Sequence, residues 1–301
     1  MYRTEKIFEK VKDTPLKYPI CVPTYGRPDN ALIKWVQKPG WNIPKNKLLL
    51  FIRNTPEQRE LYKPLQKYAR IVLIPASTRD VGETRMYIIN WAVKHRHKVI
   101  FMLDDRVNGI WWLTKTVRNG KLSLDVDKRS TPADAFKIWS YQHEKAGMVI
   151  SGIADKGFHW MPENINAPIV PLNSGCPSVC IALSPLKMRD YGINYRSSTD
   201  YGVEDLGIIY QLLEHGLPFG KCTDICYSQA APSDHGGNTA VQPGMTRNER
   251  LDVLKKTFWE KVLKLPWGTP HPGFKVVQRK NESNVIQLNR AYWRTVYGNS
   301  E

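Results

Sequence analysis

The feature that most constrains this chain is the alternation of short apolar segments with helical segments over its first hundred residues. Thr55-Pro56 with Gln58 supplies an N-cap, a first-turn proline and a capping-box residue between two of those apolar segments. Short, continuous apolar runs separated by helices are typical of a mainly parallel sheet. We therefore predict an α/β fold with helices on both faces of the sheet. The predicted strands lie at 18–23 (YPICVP), 47–53 (KLLLFIR), 70–75 (RIVLIP) and 98–103 (KVIFML).

The second half of the chain has a less regular pattern. Thr131-Pro132 and the sequence Gly202-Val203-Glu204-Asp205 each predict the start of a helix, and Thr246 with Glu249 predicts a third helix that reaches about Leu265. We predict a main domain over 1–240 and a basic helical C-terminal extension over 241–301. Further strands are predicted at 148–153, 179–183 and 221–228.

The charge is strongly positive and concentrated at the two ends. The chain has 44 Lys and Arg against 28 Asp and Glu, a formal net charge of +16. Residues 1–70 carry 15 basic and 6 acidic side chains (+9), residues 71–240 carry 18 and 17 (+1), and residues 241–301 carry 11 and 5 (+6). Such basic ends favour a polyanionic partner, most simply a nucleic acid, although a generally basic surface is the alternative.

Composition excludes several other classes of protein. The hydrophobic content of 42% and the 32 aromatic residues are enough for a large core, which excludes wholesale disorder. No apolar run approaches the roughly 18 residues that span a bilayer, and the first residues lack the apolar stretch of a signal peptide. We therefore expect a soluble cytoplasmic protein with no membrane partner.

Five cysteines, two pairs of them spaced C-x3-C, raise the question of a zinc site. The pairs are Cys176/Cys180 and Cys222/Cys226. Both pairs lie in apolar, strand-like runs, where a spacing of four places both thiols on one face. Because loop-borne C-x2-C is the more usual zinc pair, we favour buried, reduced thiols over zinc.

Polar clusters follow three of the predicted strands, where a parallel sheet places its functional groups. They are Thr24-Tyr25-Gly26-Arg27, the segment 77–85, and Asp104-Asp105-Arg106. Adjacent carboxylates at a strand end suit a divalent cation or a ribose diol, although an ordinary turn also explains them. Glu204-Asp205 at a helix start forms a second acidic pair, for which helix capping is the alternative explanation.

The order of these motifs resembles that of the GT-A nucleotide-sugar glycosyltransferases, over roughly residues 18–237. Within that superfamily, the basic ends and compact form look most like the TET-associated glycosyltransferases of phages, which modify hydroxymethylpyrimidines in DNA. The matching stretches are ICVPTYGRPD (20–29), GETRMYIINWA (82–92), VIFMLDDRV (99–107), YGVEDLGIIYQLLEHG (201–216) and DHGG (234–237).

The resemblance implies a site for a UDP-sugar donor. Thr24, Tyr25 and Arg27 would flank the nucleoside and diphosphate, and Arg27 and Arg85 would neutralise phosphate charge. Asp104 would contact the ribose or uridine part of the donor.

The resemblance also implies a divalent metal, Mn or Mg. Asp105 would bind it, and His235 would complete its coordination. The third acidic position of the family's motif is Arg106 here, which cannot bind a cation. Either Asp105 and His235 suffice, or Arg106 replaces the metal against the diphosphate, so that metal dependence stays open.

The resemblance places Glu204 and Asp205 next to the acceptor. Asp205 is the predicted general base, and Glu204 either shares catalysis or hydrogen-bonds the sugar. Trp160 is the predicted stacking partner for a base flipped out of a duplex, although a packing role explains it equally well.

These features favour an enzyme that transfers a sugar from a UDP-sugar to the hydroxymethyl group of a modified pyrimidine in DNA, in the host cytoplasm if the gene is phage-encoded. One alternative keeps the GT-A enzyme and takes a glycan, protein or RNA as acceptor. A second alternative is a non-catalytic nucleic-acid-binding protein whose acidic pairs are structural.

Overall fold

The helices and strands form an α/β protein. The computed structural model describes residues 3–118, 120–157, 169–171, 179–231, 245–277 and 284–297. The helices are α1 (Arg3–Val11), α2 (Ala31–Val36), α3 (Pro56–Tyr62), α4 (Val81–Lys94), α5 (Pro132–Lys145), α6 (Pro185–Asp190), α7 (Ser198–Tyr201), α8 (Glu204–Glu214), α9 (Arg247–Thr257) and α10 (Arg290–Tyr297). The strands are β1 (Ile20–Pro23), β2 (Leu48–Arg53), β3 (Arg70–Ile74), β4 (Ile100–Leu103), β5 (Val107–Arg118), β6 (Lys121–Val126), β7 (Ile150–Asp155), β8 (Ile169–Pro171), β9 (Cys180–Leu183), β10 (Phe219–Gln229), β11 (Phe274–Val277) and β12 (Val285–Leu288).

A ten-stranded sheet runs through the molecule in the order β3-β2-β1-β4-β9-β7-β10-β5-β6, with β8 paired to β10. The β1, β2, β3 and β4 strands are parallel neighbours, and β7 is parallel to β10. Because β9 is antiparallel to both β4 and β7, and β5 and β8 are antiparallel to β10, only those three strands oppose the common direction. The predicted mainly parallel α/β sheet is confirmed.

Local signals in the sequence explain where several helices begin. Thr55 caps α3 by accepting a hydrogen bond from the Gln58 backbone N–H, and Pro56 occupies the first turn. Thr246 and Glu249 form the predicted capping box of α9. This helix continues as a π-helical turn, Phe258–Val262, so that helical structure approaches the predicted end at Leu265.

Two hydrophobic cores cover the two faces of the sheet, which confirms helices on both sides. One core contains Trp112, Phe136 and Trp139 and packs α2 and α5 on the sheet. The other contains Ile88 of α4 and Ile209 of α8. Six buried residues from beyond position 240 also belong to it: Phe258, Trp259, Leu263, Phe274, Ile286 and Trp293.

The described residues beyond 240 thus contribute to the second core, and they form the β11–β12 hairpin as well as helices. Sequence analysis missed this hairpin, the β5–β6 hairpin and α1. An ion pair anchors α1 to the sheet: Arg3 lies 2.7 Å from Asp224, a fully buried residue of β10. The division of the chain at residue 240 stays a prediction.

The described cysteines support buried thiols. Cys180 lies in β9, Cys222 and Cys226 lie in β10, and all three are free and buried. Burial in an apolar environment raises the pKa of each thiol, which keeps it protonated and a poor metal ligand. Cys176 lies outside the described residues.

Candidate active site

The first part of the site is formed by the carboxyl ends of β1 and β4. Because these strands are parallel neighbours, the residues that follow them meet. Thr24 donates a hydrogen bond of 3.0 Å from its Oγ1 to Oδ2 of Asp105, and Arg27 Nη2 lies 3.1 Å from Oδ1. Asp105 is 3% exposed. Burial raises the pKa of this carboxyl, and Arg27 opposes the shift.

Helix α3 supports this strand-end cluster from the side. The Tyr62 hydroxyl lies 2.7 Å from Thr24 Oγ1 and accepts a hydrogen bond of 3.0 Å from the Arg27 backbone N–H. Gln58 Oε1 accepts from the Gly26 backbone N–H at 3.1 Å. Gly26 has a φ of +67°, in the left-handed region that favours glycine, so the turn after β1 depends on this residue.

The second part of the site is a group of three carboxylates around one buried arginine. Arg85, in α4, directs Nη1 toward Asp205 and Glu204, which begin α8; its nearest contact is Asp205 Oδ1, and Glu204 Oε1 lies 3.4 Å away. Its Nη2 lies 3.5 Å from Asp104 Oδ1, at the end of β4. We call Arg85, Asp104, Glu204 and Asp205 the arginine–carboxylate cluster.

Burial and neighbouring charges shift the pKa values of the side chains in this cluster. Burial alone would lower the pKa of Arg85, but Asp205, Glu204 and Asp104 raise it well above its ordinary value. Burial, with Asp205 adding to it and Arg85 opposing it, raises the pKa of Glu204 to about 7. Burial also raises the pKa of Asp205, while Arg85 opposes the shift. One guanidinium therefore serves three carboxylates, and Glu204 changes its charge near neutral pH.

Asp80 ties α7, the short helix just before α8, to the start of α4. Its Oδ1 caps α4 by accepting from the Glu83 backbone N–H at 3.1 Å, while its Oδ2 accepts from Ser197 Oγ at 2.5 Å and from the Thr199 backbone N–H at 3.1 Å. A Cβ added at Gly82 would lie 2.1 Å from the carbonyl oxygen of Arg196. Gly82 thus lets the backbone before α7 come close to α4, the helix that carries Arg85.

The structure brings most of the predicted site residues together. Arg106 Nη2 lies 3.7 Å from Asp104 Oδ2 and so joins the arginine–carboxylate cluster. The guanidinium of Arg53 lies 4.3 Å from the ring centre of Tyr25, a geometry for cation–π attraction. His235 and Trp160 lie outside the described residues, so their predicted roles stay predictions.

Sequence analysis missed several residues that support the site. Tyr62 and Gln58 lie on the helix that the Thr55-Pro56 cap predicted, but nothing in the sequence placed them beside Thr24 and Gly26. Asp80 precedes an expected helix and is a common N-cap residue, so its capping of α4 could have been predicted from the sequence. Its bonds to Ser197 and Thr199 span more than a hundred residues and depend on the tertiary fold.

The described residues do not fit a divalent cation. Both oxygens of Asp105 already have partners, Thr24 and Arg27, and Asp104 lies between the guanidinium groups of Arg85 and Arg106. In the described part of the chain, no group of three or more His, Cys, Asp or Glu side chains is placed to hold a metal. Guanidinium partners on each candidate carboxylate are the opposite of what a cation needs.

Within the described ranges, no helix combines the length and the apolar character that crossing a membrane requires.

Comparisons with known proteins find similarities of three-dimensional structure. No family model matches the chain, and no curated protein matches it. Similar structures include the mannosyltransferase PcManGT from Pyrobaculum calidifontis in complex with GDP-Man and Mn2+, at 15% identity and a TM-score of 0.47 over 87% of this chain and 70% of that one. Glucosyl-3-phosphoglycerate synthase from Mycobacterium tuberculosis, in complex with Mg2+ and UDP, is 8% identical with a TM-score of 0.49 over 96% and 92% of the two chains. Residues 1–349 of S. aureus TarS in complex with UDP are 12% identical with a TM-score of 0.43 over 83% and 72%. At these identities and TM-scores the similarities carry no assignment of family or activity to this chain.

Proposed function

We propose that this chain is a glycosyltransferase that moves a sugar from a UDP-sugar to an acceptor hydroxyl, and that the acceptor is the hydroxymethyl group of a modified pyrimidine in DNA. The observation that carries the proposal is the arginine–carboxylate cluster beside the strand ends of β1 and β4. Together they combine two partly exposed guanidinium groups suited to a diphosphate, Arg27 and Arg106, with a carboxyl group, Glu204, whose pKa is raised to about 7.

The donor is assigned to the strand-end side of the site. Arg27 and Arg106 are each 20% exposed in their side chains and flank Asp105 and Asp104, so they can face a diphosphate while staying fixed by a carboxylate. Asp104 is 24% exposed and is the more accessible of the two aspartates, which suits a hydrogen bond to a ribose hydroxyl. The position of Arg106 beside Asp104 supports a guanidinium group, rather than a metal ion, as the positive charge against the diphosphate.

Arg85 has a different assignment from the other arginines. It is 4% exposed and contacts three carboxylates, so we assign it the task of positioning Glu204 and Asp205. The phosphate contact that the resemblance implies for Arg85 requires one of those carboxylates to release it, and it stays a prediction.

Glu204 has properties that suit a general base. A pKa of about 7 lets it take a proton at neutral pH, whereas Asp205 has the closer contact with Arg85, which favours its ionised form. In the proposed step, the acceptor oxygen forms a bond to the anomeric carbon, the bond from that carbon to the diphosphate breaks, UDP leaves with the electron pair, and the acceptor proton passes to Glu204. Asp205 remains the base that the sequence favours, and variants of the two residues separate the assignments.

The DNA acceptor rests on charge. The excess of +9 over residues 1–70 and +6 over residues 241–301 is the observation that supports a polyanion. The hydroxymethyl group of a pyrimidine projects into the major groove, and flipping would bring the base into the cleft, with direct access from the major groove as the alternative. Trp160 is proposed to stack on the flipped base.

A two-part assay tests the proposed function. Radiolabelled UDP-sugar is incubated with the protein alone, with hydroxymethylated DNA and with plain DNA, and both released UDP and labelled DNA are measured. We expect labelled product only with hydroxymethylated DNA. Transfer to a glycan, protein or RNA instead would support the alternative enzyme, and the absence of both hydrolysis and transfer would support a binding protein.

Salt dependence tests the acceptor separately. If n phosphates are contacted, the logarithm of duplex affinity falls with the logarithm of salt concentration with a slope of about −0.9n. Donor affinity, which depends on a few fixed contacts, should change much less. A Michaelis constant for DNA that does not change with salt would contradict the DNA acceptor.

A further inference from the structure

A cleft of 220 Å3 lies between α8 and the π-helical turn Phe258–Val262. Glu204 lines this cleft and also contacts Arg85, so the cleft adjoins the arginine–carboxylate cluster at that residue. The lining side chains that matter here are basic or aromatic: Arg196, Lys261, Lys264, Tyr201 and Tyr210.

The positive charge in this cleft is not neutralised by neighbouring ion pairs. Among the described residues, Arg196, Lys261 and Lys264 each form no ion pair, and Lys261 and Lys264 are exposed. Two carboxylates also line the cleft, Glu204 and Glu214. Glu214 lies against the hydroxyl of Tyr210, where burial, together with that carboxylate, raises the tyrosine pKa. Three cations against two carboxylates, one of which is partly protonated near neutral pH, leave the cleft positive.

The backbone fixes the two walls of the cleft against each other. Gly202, just before α8, has a φ of +85°, and a Cβ there would lie 2.1 Å from the carbonyl oxygen of Leu254 in α9. Phe258 and Trp259, at the start of the π-helical turn, are buried. Lys261 belongs to this turn and Lys264 lies two residues after it, so the packing of the turn places both lysines at the cleft that Glu204 lines.

We propose that this cleft binds a phosphate group of the acceptor, which rests on the proposed function. Three cations around one space suit a phosphate oxyanion. The guanidinium of Arg196 lies 4.8 Å from the ring centre of Tyr201, so this ring helps to hold the cation at the cleft. A phosphate held there brings an acceptor hydroxyl on the same molecule toward Glu204. A nucleic-acid phosphodiester and a free phosphomonoester share this chemistry, and the experiment separates them.

The test compares two double variants that lose the same charge. The cleft variant is Lys261→Gln with Lys264→Gln. The control variant is Lys94→Gln with Lys98→Gln, two exposed lysines of the charge-balanced middle of the chain that lie at the end of α4 and before β4, away from the carboxyl ends of the strands. The probes are a fluorescein-labelled thymidine octanucleotide, followed by anisotropy, and inorganic phosphate as its competitor.

We expect the cleft variant to bind the oligonucleotide about 10-fold more weakly, with the salt slope reduced by roughly 1.4 for two lost contacts, while the control changes less than about twofold. Displacement by millimolar inorganic phosphate from the wild type identifies a phosphomonoester source, and resistance to it identifies a phosphodiester. Equal binding by the cleft and control variants would overturn the proposal.

Two further measurements keep this inference separate from its foundation. Unchanged melting temperatures show that both variants are folded, which exposed lysines should permit. Hydrolysis of UDP-sugar without acceptor should be the same in the cleft variant and the wild type. If neither hydrolysis nor transfer occurs in any of the proteins but the cleft variant still binds the oligonucleotide more weakly than the control, the proposed function fails and the phosphate site stands.

Discussion

Two polar networks in this molecule bury titratable side chains, one in a neutral form and the other as charged groups. In the first core, His143 Nδ1 lies 2.7 Å from Ser151 Oγ and Nε2 lies 2.9 Å from Ser184 Oγ. Trp139 donates to Ser151, and Ser184 donates to the carbonyl oxygen of Met148, so the hydrogen bonds run in one direction through a neutral imidazole. In the arginine–carboxylate cluster, Arg85 is shared among three carboxylates, one of which, Asp104, also contacts Arg106.

The comparison distinguishes a buried group that stabilises the core from a buried group that suits catalysis. A neutral network with a partner for every group stabilises the core. Burial lowers the pKa of His143 to about 3, so it stays uncharged at physiological pH. Burial raises the pKa of Glu204 to about 7, so this carboxyl can exchange a proton there. Perturbed groups of the second kind are typical of catalytic sites.

The largest expected effect is on turnover. Glu204→Gln keeps the size of the side chain but removes the proton acceptor, so we expect transfer to fall by roughly 10²- to 10⁴-fold. Asp205→Asn is the matched control, and we expect about a 10-fold loss, because it disturbs Arg85 without removing the base. Initial rates of sugar transfer are measured for both. The reverse order of losses would assign the base to Asp205.

The second effect is on stability without an effect on chemistry. His143→Ala removes the imidazole and leaves Ser151 and Ser184 without their partner in a buried site, so we expect a loss of about 3 kcal/mol of unfolding free energy. Urea unfolding measures it, with His215→Ala at an exposed position as the control. Turnover per folded molecule should be unchanged. A large loss of turnover would mean that the two networks are not separate.

The third prediction disturbs the arginine–carboxylate cluster without changing any of its residues. Gly82→Ala places a methyl group against the Arg196 carbonyl oxygen, so we expect a loss of about 2 kcal/mol and reduced transfer. Gly207→Ala in α8 is the control, because its Cβ would meet nothing within 4 Å. We expect the control to gain up to about 1 kcal/mol. Similar stabilities of the two variants in thermal unfolding would contradict the close approach.

The smallest effect is the pH dependence of stability, which has opposite signs in the two networks. Glu204 has a folded pKa above its unfolded value, so its contribution is lost as pH rises from 4.5 to about 7. His143 has a folded pKa below its unfolded value, so its contribution is lost as pH falls from 6.5 toward 3.

Unfolding free energies of the wild type and Glu204→Gln at pH 5 and pH 8 measure the first contribution. We expect the wild type to lose roughly 1–2 kcal/mol more than the variant over that interval. A difference of the opposite sign would show that Glu204 is held ionised in the folded protein.

Much of the fold and part of the site could be predicted from residues close in sequence. The strand–helix alternation and the caps at Thr55 and Thr246 act over a few residues, so local patterns revealed them. The β5–β6 hairpin was missed although Val107 and Trp112 are buried. Its pairing with β10 covers residues more than a hundred positions away.

The sequence by itself determined the alternation of strands and helices over the first hundred residues, the basic ends, and the acidic pairs Asp104-Asp105 and Glu204-Asp205. Only the tertiary structure decided that Arg85 meets Glu204 and Asp205, which lie 119 and 120 residues away, and that Asp105 is bonded to Thr24 and Arg27. The physical reason is the separation in sequence over which each interaction acts. Helix caps and apolar periodicity depend on near neighbours, whereas burial and the distance between charges, which set a pKa, depend on which elements the fold brings into contact.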